Sequence, residues 1–499
     1  MTIDGVGLRT SFLGSRILDL QSQFDDLQGQ LTTGKKSDTY AGMGVNRGFA
    51  IALRAQISAI DSYADTATNV NTRISIANTA LQRIADIGTQ VQGAASTSST
   101  QVSSNGQTTA QATARSSLDE MLQLLNTQAG DRYLFSGRAT DTPATASMDD
   151  ILNGVGAKAG LKQLIAERNQ ADLGTSPAMG RLVLSTPTPT SISIAEDVAG
   201  SPFGLKLNSI SSTSPNVTLT GPAGSPPSES VDLGATNPSS GDTLTFAFNL
   251  PDGTTENIQL TATTTTPVQA GQFLIGANST ATAANLNSAL TTAVGALANG
   301  PLVAASAMKA SSEFFSGNPP PRVAGPPFAT ATSQVPGTAA NTLSWYTGET
   351  GTDPARGTAL ARVDQGISVQ YGARANEEAF TSQLQTIAAL AAVNTSATDP
   401  NATAQISALY QRVAAKLLPQ AGQQSVQDVQ ADFASAQSLM QSATDRQTQV
   451  KNTAQSMLQS IEGVSDAEVS AKILAVQNSL NASYMTTSML YQTTLLKYL

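Results

Sequence analysis

Apolar residues recur at helical spacing toward both ends of the 499-residue chain and at alternate positions in its middle. Leu13, Ile17, Leu20, Phe24, Leu27 and Leu31 are separated by 4, 3, 4, 3 and 4 residues. This heptad stripe predicts a helix with one apolar face. Gly34 ends it, and "TTGKKSDTYAGMGVNRG" reads as a structured break. A second helix is expected from about Phe49, with Ile74, Ala77, Leu81 and Ile84 on one face. A third is expected over residues 110–128, carrying Leu118, Met121, Leu122 and Leu125, with Gly130 as its C-terminal cap. Toward the other end, Val426, Val429, Phe433, Leu439 and Met440 begin a further helical pattern. After Gly463, Ser465 and Glu468 have the spacing of a capping box. Val469, Ile473, Val476 and Leu480 then form a stripe expected to run through Tyr484, Thr487, Tyr491 and Leu495 to Leu499. A helix of that extent spans roughly 45 Å, at ~1.5 Å per residue.

In the middle, Leu244, Phe246, Phe248 and Leu250 alternate with polar residues. The turn Pro251–Gly253 leads to Ile258, Leu260 and Ala262, which predicts a β-hairpin. "RLVLST", "SISIAED" and "PNVTLTG" read as further strands, "ATAANLNSALTTAVGAL" as one helix, and "SGNPPPRVAGPP" as a loop. The chain thus divides into a helical segment over 1–140, a β-rich insert over 145–350 and a second helical segment over 355–499. The expected class is α+β: a long antiparallel, coiled-coil-like helical core made by both termini, with a β-rich central insert. An apolar stripe at each end is unfavourable in water, since each buried side chain contributes roughly 1.5–3 kcal/mol. Folding the two ends against each other is the simplest solution. Any stripe left uncovered becomes a contact for neighbouring subunits.

Composition narrows the function. Hydrophobic residues make up 40% of the chain, enough for a sizeable core, but charged residues only 13%. There is no cysteine and no histidine. Disulfides, thiolate and His-ligated metal sites, and Ser-His-Asp or Cys-His catalysis are therefore excluded. An enzyme is the least favoured class; it would have to work with carboxylates, Ser, Thr or Lys alone. The net charge of −9 disfavours nucleic-acid binding and attraction to anionic membranes. No run approaches 18 consecutive apolar residues, so no membrane span is expected. The N-terminus lacks a charged region followed by an apolar one, which reads as cytoplasmic or as export without cleavage.

Two glycine motifs fail on inspection. "GQLTTGKKS" supplies Gly29, Gly34 and Lys35 of a phosphate loop, but Lys36 stands where a magnesium-binding hydroxyl belongs, and a heptad helix precedes it. "GMGVNRG" has Arg47 in place of the third glycine of a dinucleotide fingerprint. The carboxylate pairs Asp25–Asp26, Asp149–Asp150 and Glu377–Glu378 lack cation-loop spacing and read as solvated surface. No cofactor is expected. One stretch stands out: "GDRYLFSGRATDTPA", Gly130–Ala144, puts Tyr133, Leu134 and Phe135 where a helical region stops, in a chain with 5% aromatics. The triplet reads as a hydrophobic clamp closing the core, or as an intersubunit surface.

These residues carry a resemblance to the bacterial flagellin family. "LQGQLTTGKKSDTYAGMG" is similar to the loop after the first flagellin helix, although "KKSDTYAGMG" departs from the usual form with an Asn and a paired acidic run. "SLNASYMTTSMLYQTTLLKYL" looks like the family's C-terminal helix. "GDRYLFSGRATDTPA", "SWYTGETGTDPARG" and "VQYGARANEEAF" resemble the hook-associated, hook–filament junction branch of the family more than filament flagellin. The resemblance implies a structural protein of the extracellular flagellum that self-assembles through its termini. It implies export unfolded through the flagellar type III apparatus, without signal cleavage and with an export chaperone. The implied partners are further copies of itself, other hook-associated proteins and flagellin, with no membrane insertion. The expected assembly seam is Leu13, Ile17, Leu20, Phe24, Leu27 and Leu31 at one end, and Ile473, Val476, Leu480, Tyr491, Leu495, Leu496 and Leu499 at the other. Tyr133, Leu134 and Phe135 are the expected core closure. Filament flagellin is the near alternative, and a secreted surface adhesin or interaction module the distant one.

Overall fold

The computed structural model describes residues 4–103 and 106–495, with side-chain surroundings for residues 12–103, 106–490 and 492. The helices are α1 (Asp4–Thr33), α2 (Arg47–Thr97), α3 (Thr109–Leu125), α4 (Met148–Asn153), α5 (Leu161–Leu173), α6 (Ser279–Leu297), α7 (Val303–Ser316), α8 (Glu378–Ala392), α9 (Ala402–Lys416), α10 (Val426–Glu462) and α11 (Asp466–Leu495). The strands are β1 (Gln128–Ala129), β2 (Arg132–Tyr133), β3 (Gly154–Val155), β4 (Lys158–Ala159), β5 (Leu182–Ser185), β6 (Ser191–Glu196), β7 (Lys206–Ser212), β8 (Thr218–Ala223), β9 (Ser228–Asp232), β10 (Thr243–Asn249), β11 (Thr255–Thr263), β12 (Gln272–Leu274), β13 (Arg322–Val323), β14 (Gln334–Val335), β15 (Leu360–Asp364) and β16 (Ile367–Gln370). The class is α+β, with long helices toward both ends and the strands concentrated between them. Two compact units emerge. One holds the chain up to Asn71, Ala361–Val369, and the chain from Gln437; the other holds Thr72–Leu360 and Gln370–Ala436.

In the first unit α1 and α11 run antiparallel. The first part of α2 and the second part of α10 make another antiparallel pair. Three polar contacts fix its register: Arg54 to Glu462 at 2.6 Å, Asp61 to Lys451 at 2.5 Å, and Asn71 to Gln437 at 2.7 Å. Between them, small residues (Ala50, Ala67, Ala443, Ala454) are buried beside Leu53, Ile60, Val70 and Met440, so the two backbones approach closely. The β15–β16 hairpin lies on α10, where the Gln447 amide donates to the Val363 carbonyl at 2.6 Å.

In the second unit α2 continues, and Ile74, Ala77, Leu81 and Ile84 are all buried, as their spacing predicts. The helix α3 starts on a capping box that the periodicity did not reveal. Thr108 Oγ1 accepts from the Gln111 N–H at 3.2 Å, and Gln111 Oε1 accepts from the Thr108 N–H at 2.8 Å. Its apolar side (Leu118, Met121, Leu122, Leu125) is buried against α8. Gly130 is not its cap. Asn126 ends the helix, and Gly130 takes φ +69° in the turn between β1 and β2, where Ala129 pairs with Arg132. A two-residue hairpin turn calls for that left-handed conformation.

The insert contains two four-stranded sheets, ordered β12-β11-β10-β7 and β5-β6-β9-β8. The β10–β11 hairpin forms as expected, with Phe246 opposite Ile258 and Leu244 opposite Leu260. One hydrophobic core joins both sheets to α6 through Phe246, Phe248, Ile194, Val231, Leu286 and Leu290. The insert holds more helix than the single one anticipated, since α4, α5 and α7 also fall within it. From Ser279 to Ser316 the chain reaches a mean hydropathy of 1.2, long and apolar enough by composition to cross a membrane. Its apolar residues Leu286, Leu290, Val294 and Leu302 are instead buried in the insert core. The hairpin is tied to α9 by Arg412, which is buried and contacts Asp252 at 2.9 Å and Glu256 at 3.1 Å.

Candidate assembly interface

The antiparallel α1–α11 pair is anchored at its base by the break after α1. Gly34, at φ +67°, takes the helix out of register and accepts the Val464 N–H at 3.1 Å. The Lys36 N–H donates to the Glu462 carbonyl at 2.7 Å, and its ammonium donates to the Ile461 carbonyl at 3.0 Å. That cation satisfies carbonyls at the negative end of α10. Arg54 lies over the Tyr40 ring at 5.5 Å while pairing with Glu462, and the hydrogen bond to Glu462 holds the guanidinium firmly protonated. The glycine-rich stretch is thus a docking loop for the α10–α11 junction, not a phosphate loop.

Further along, the Gln21 amide donates to the Tyr484 hydroxyl at 2.9 Å. Leu13, Ile17, Leu20, Phe24 and Leu27 are half-buried, and so are Ile473 and Val476 opposite them, while Leu480 is buried. Leu31 is exposed. Beyond Leu480 the inward line passes through Ser483, Thr487 and Leu490, all half-buried, and Tyr484 is exposed. The reason is periodic: after the step of four from Val476 to Leu480, a heptad seam steps three, and a second step of four rotates off the face. The side chains of Tyr491 and Leu495, and all of Leu496 and Leu499, lie outside the described residues.

A pair of helices covers one stripe of each and leaves the other faces open. Phe12 is 62% exposed, Leu18 67%, Leu474 60% and Met485 68%. Near the base, Val45 is fully exposed, and Phe49 and Ile51 are exposed as well. Large apolar side chains thus stand in solvent on both helices of the pair and at its base.

The second unit gathers the three segments "GDRYLFSGRATDTPA", "SWYTGETGTDPARG" and "VQYGARANEEAF" into one cluster. Phe135 is fully buried and meets Phe380 edge-on at 5.7 Å. Its carbonyl accepts from Ala375 at 2.8 Å, and Gly137 donates to Ala373 at 3.1 Å. Tyr133 and Leu134 stay half-buried, beside Arg73, Tyr371 and Phe433, around a cavity of about 20 Å³. Arg138 pairs with Glu349 at 2.6 Å and Asp353 at 2.8 Å. Arg356 stacks on Phe433 at 4.9 Å, donates to the Gly372 carbonyl at 2.6 Å and pairs with Glu377. Trp345 is buried against Phe315, and its indole N–H donates to the Phe315 carbonyl at 2.9 Å. Burial pushes the neighbouring Tyr346 hydroxyl up to about 12. The arginines escaped the sequence reading; their only signal there was rarity, as charges in Pro- and Gly-rich loops of a chain with few charges.

Among the described residues no group of acidic side chains is arranged to hold a metal ion. Residues 10–140 match the family model for the bacterial flagellin N-terminal helical region. No curated protein matches the chain. The matched segment runs from within α1 through α2 and α3 to the β1–β2 hairpin and the Phe135 turn. This match supports the bacterial flagellin family, and with it a structural, self-assembling component of the bacterial flagellum.

Proposed function

We propose that this chain is a structural subunit of the hook–filament junction, joining hook to filament by assembly of its terminal helices. One observation carries the reading: α1 and α11 cover one stripe of each other and leave Phe12, Leu18, Leu474 and Met485 in solvent. In this reading the seam from Leu13 to Leu27 with Ile473, Val476 and Leu480 pairs within a subunit. The outward residues, with Leu31 and the C-terminal Tyr491, Leu495, Leu496 and Leu499, meet neighbouring subunits. Residues 1–140 and 355–499 are the core segments, residues 145–350 are the insert, and Tyr133, Leu134 and Phe135 close the core where the chain leaves α3. The subunit is exported through the flagellar type III apparatus with a chaperone, and it neighbours other hook-associated proteins and flagellin. It carries no catalytic activity.

The family match is common ground with filament flagellin. What favours the junction is the convergence of Phe135, Arg138, Glu349, Arg356 and Phe380, drawn from the three segments that resemble that branch. A clean deletion of the gene separates the readings by electron microscopy of cells and immunoblotting of the medium for flagellin. Hooks without filaments, with flagellin shed into the medium, are expected. Intact or merely shortened filaments would indicate one flagellin among several and overturn the junction role.

A further inference from the structure

We propose that Glu229 is a proton-operated latch in the insert: β8 stays paired to β9 while the Glu229 carboxyl is protonated, and is released when it ionises. The placement is unusual for a glutamate. Along β9, Glu229 and Val231 are buried while Ser228, Ser230 and Asp232 are half-buried. Glu229 is registered opposite Ile194 of β6, and Val231 opposite Ile192 and Leu219, so the carboxyl sits on the apolar face of the sheet. Only 1% of the residue is exposed, and neither carboxylate oxygen has a hydrogen-bond partner.

The other flank of Glu229 is the irregular part of β8. The β8–β9 register breaks between Thr220 and Ala223, which leaves Gly221 and Pro222 facing it. A Cβ on Gly221 would lie 2.3 Å from the Ser228 carbonyl oxygen and 2.9 Å from the Glu229 Cα. The two backbones are therefore in close contact at this point. β8 is also the terminal strand of its sheet, and every residue in it except Leu219 is exposed. As an exposed edge strand beside Glu229, it can separate without disturbing the β5-β6-β9 pairing.

Among the described residues no neighbouring charge neutralises the carboxyl. On β6, Glu196 is paired with Lys206 of β7 at 2.8 Å. Asp232 on β9 itself accepts from the Gly234 N–H and the Thr190 hydroxyl. β8 carries no charged residue. Burial alone pushes Glu229 up to about 7. Ionisation is disfavoured in such a place and favoured where an opened strand admits water, so the closed form holds the proton more tightly than the open one. Between the ordinary glutamate range and about pH 7 each pH unit therefore favours the open form by about tenfold, and above about 7, where both forms are ionised, the balance levels off.

Hydrogen exchange of the full chain tests this, read on peptides spanning residues 215–233 between about pH 4.5 and 8.5 and corrected for intrinsic exchange chemistry. Opening of β8 and β9 should rise by about tenfold per unit from the ordinary glutamate range up to about pH 7 and level off above it. It should be independent of pH in Glu229→Gln, and the β10–β11 peptides should not change in either protein. A ¹³C titration of the Glu229 carboxyl in the wild-type chain should show a midpoint near neutrality. If Glu229→Gln does not fold, Glu229→Met and this titration serve in its place. A midpoint in the ordinary glutamate range, flat exchange in the wild type, or the same pH response in the variants would each overturn the proposal.

Discussion

Phe135 is fully enclosed against Phe380, while Tyr133 and Leu134 keep part of their surface in water. Truncation should therefore separate the three. Phe135→Ala removes a whole buried ring and should cost about 3–5 kcal/mol, read by thermal or urea unfolding. Tyr133→Ala and Leu134→Ala should each cost distinctly less; equal losses at all three would contradict the core role of Phe135. Gly34 isolates a backbone effect. It sits at φ +67°, and an added Cβ would meet nothing within 4 Å. Gly34→Ala should then destabilise by about 1 kcal/mol through backbone strain alone, with Gly34→Asn milder. Asp364 gives the pH sign at this scale. Its hydrogen bond from Arg446 holds the carboxyl below the usual aspartate range. A lowered carboxylate contributes stability that is fully present above the ordinary aspartate pKa and is lost as pH falls through the lowered value. Asp364→Asn should accordingly flatten the acid limb of a stability profile and leave the alkaline limb unchanged.

The terminal helices were legible as sequence because their burial follows their period. Leu13 to Leu27 and Val469 to Leu480 all face inward to some degree. The reading failed where it departed from the heptad, at Tyr484, and where an apolar residue simply points outward, as Leu439 does. Ser465 does precede α11, but Glu468 reaches forward to Lys472 at 2.7 Å. Other elements were hidden for a different reason. α5 buries Glu167, Arg168 and Asp172, which no hydrophobic pattern would mark as core. Arg168 and Asp172 pair one turn apart at 2.8 Å, but the other partners are far along the chain: the Pro202 carbonyl, the Gly204 N–H, the Ser306 hydroxyl and Arg322. Arg412 and Arg356 are likewise explained only by residues that folding brings to them. At the element scale, removing the last ~20 residues deletes the chain beyond Leu480 and most of the C-terminal half of the α1–α11 pair. Such a truncated chain should still be secreted but should not be incorporated into flagella, and wild-type motility of the strain would contradict the assembly role.

For the whole molecule, the seam within the chain and the exposed apolar faces divide the work. In the proposed reading the seam sets one helix against the other, and the outward residues serve chiefly to meet neighbouring subunits. Each becomes worth roughly 1.5–3 kcal/mol only when a neighbour covers it. The central claim is that this coverage is assembly. The most direct measurement is incorporation of a Leu474→Glu/Met485→Glu double variant, expressed in the deletion strain and quantified by immunogold labelling and immunoblotting of purified flagella. Circular dichroism of the purified variant should match the wild type, because both positions face solvent. The account predicts secretion into the medium with loss of incorporation and of motility. Normal incorporation with normal motility would contradict it.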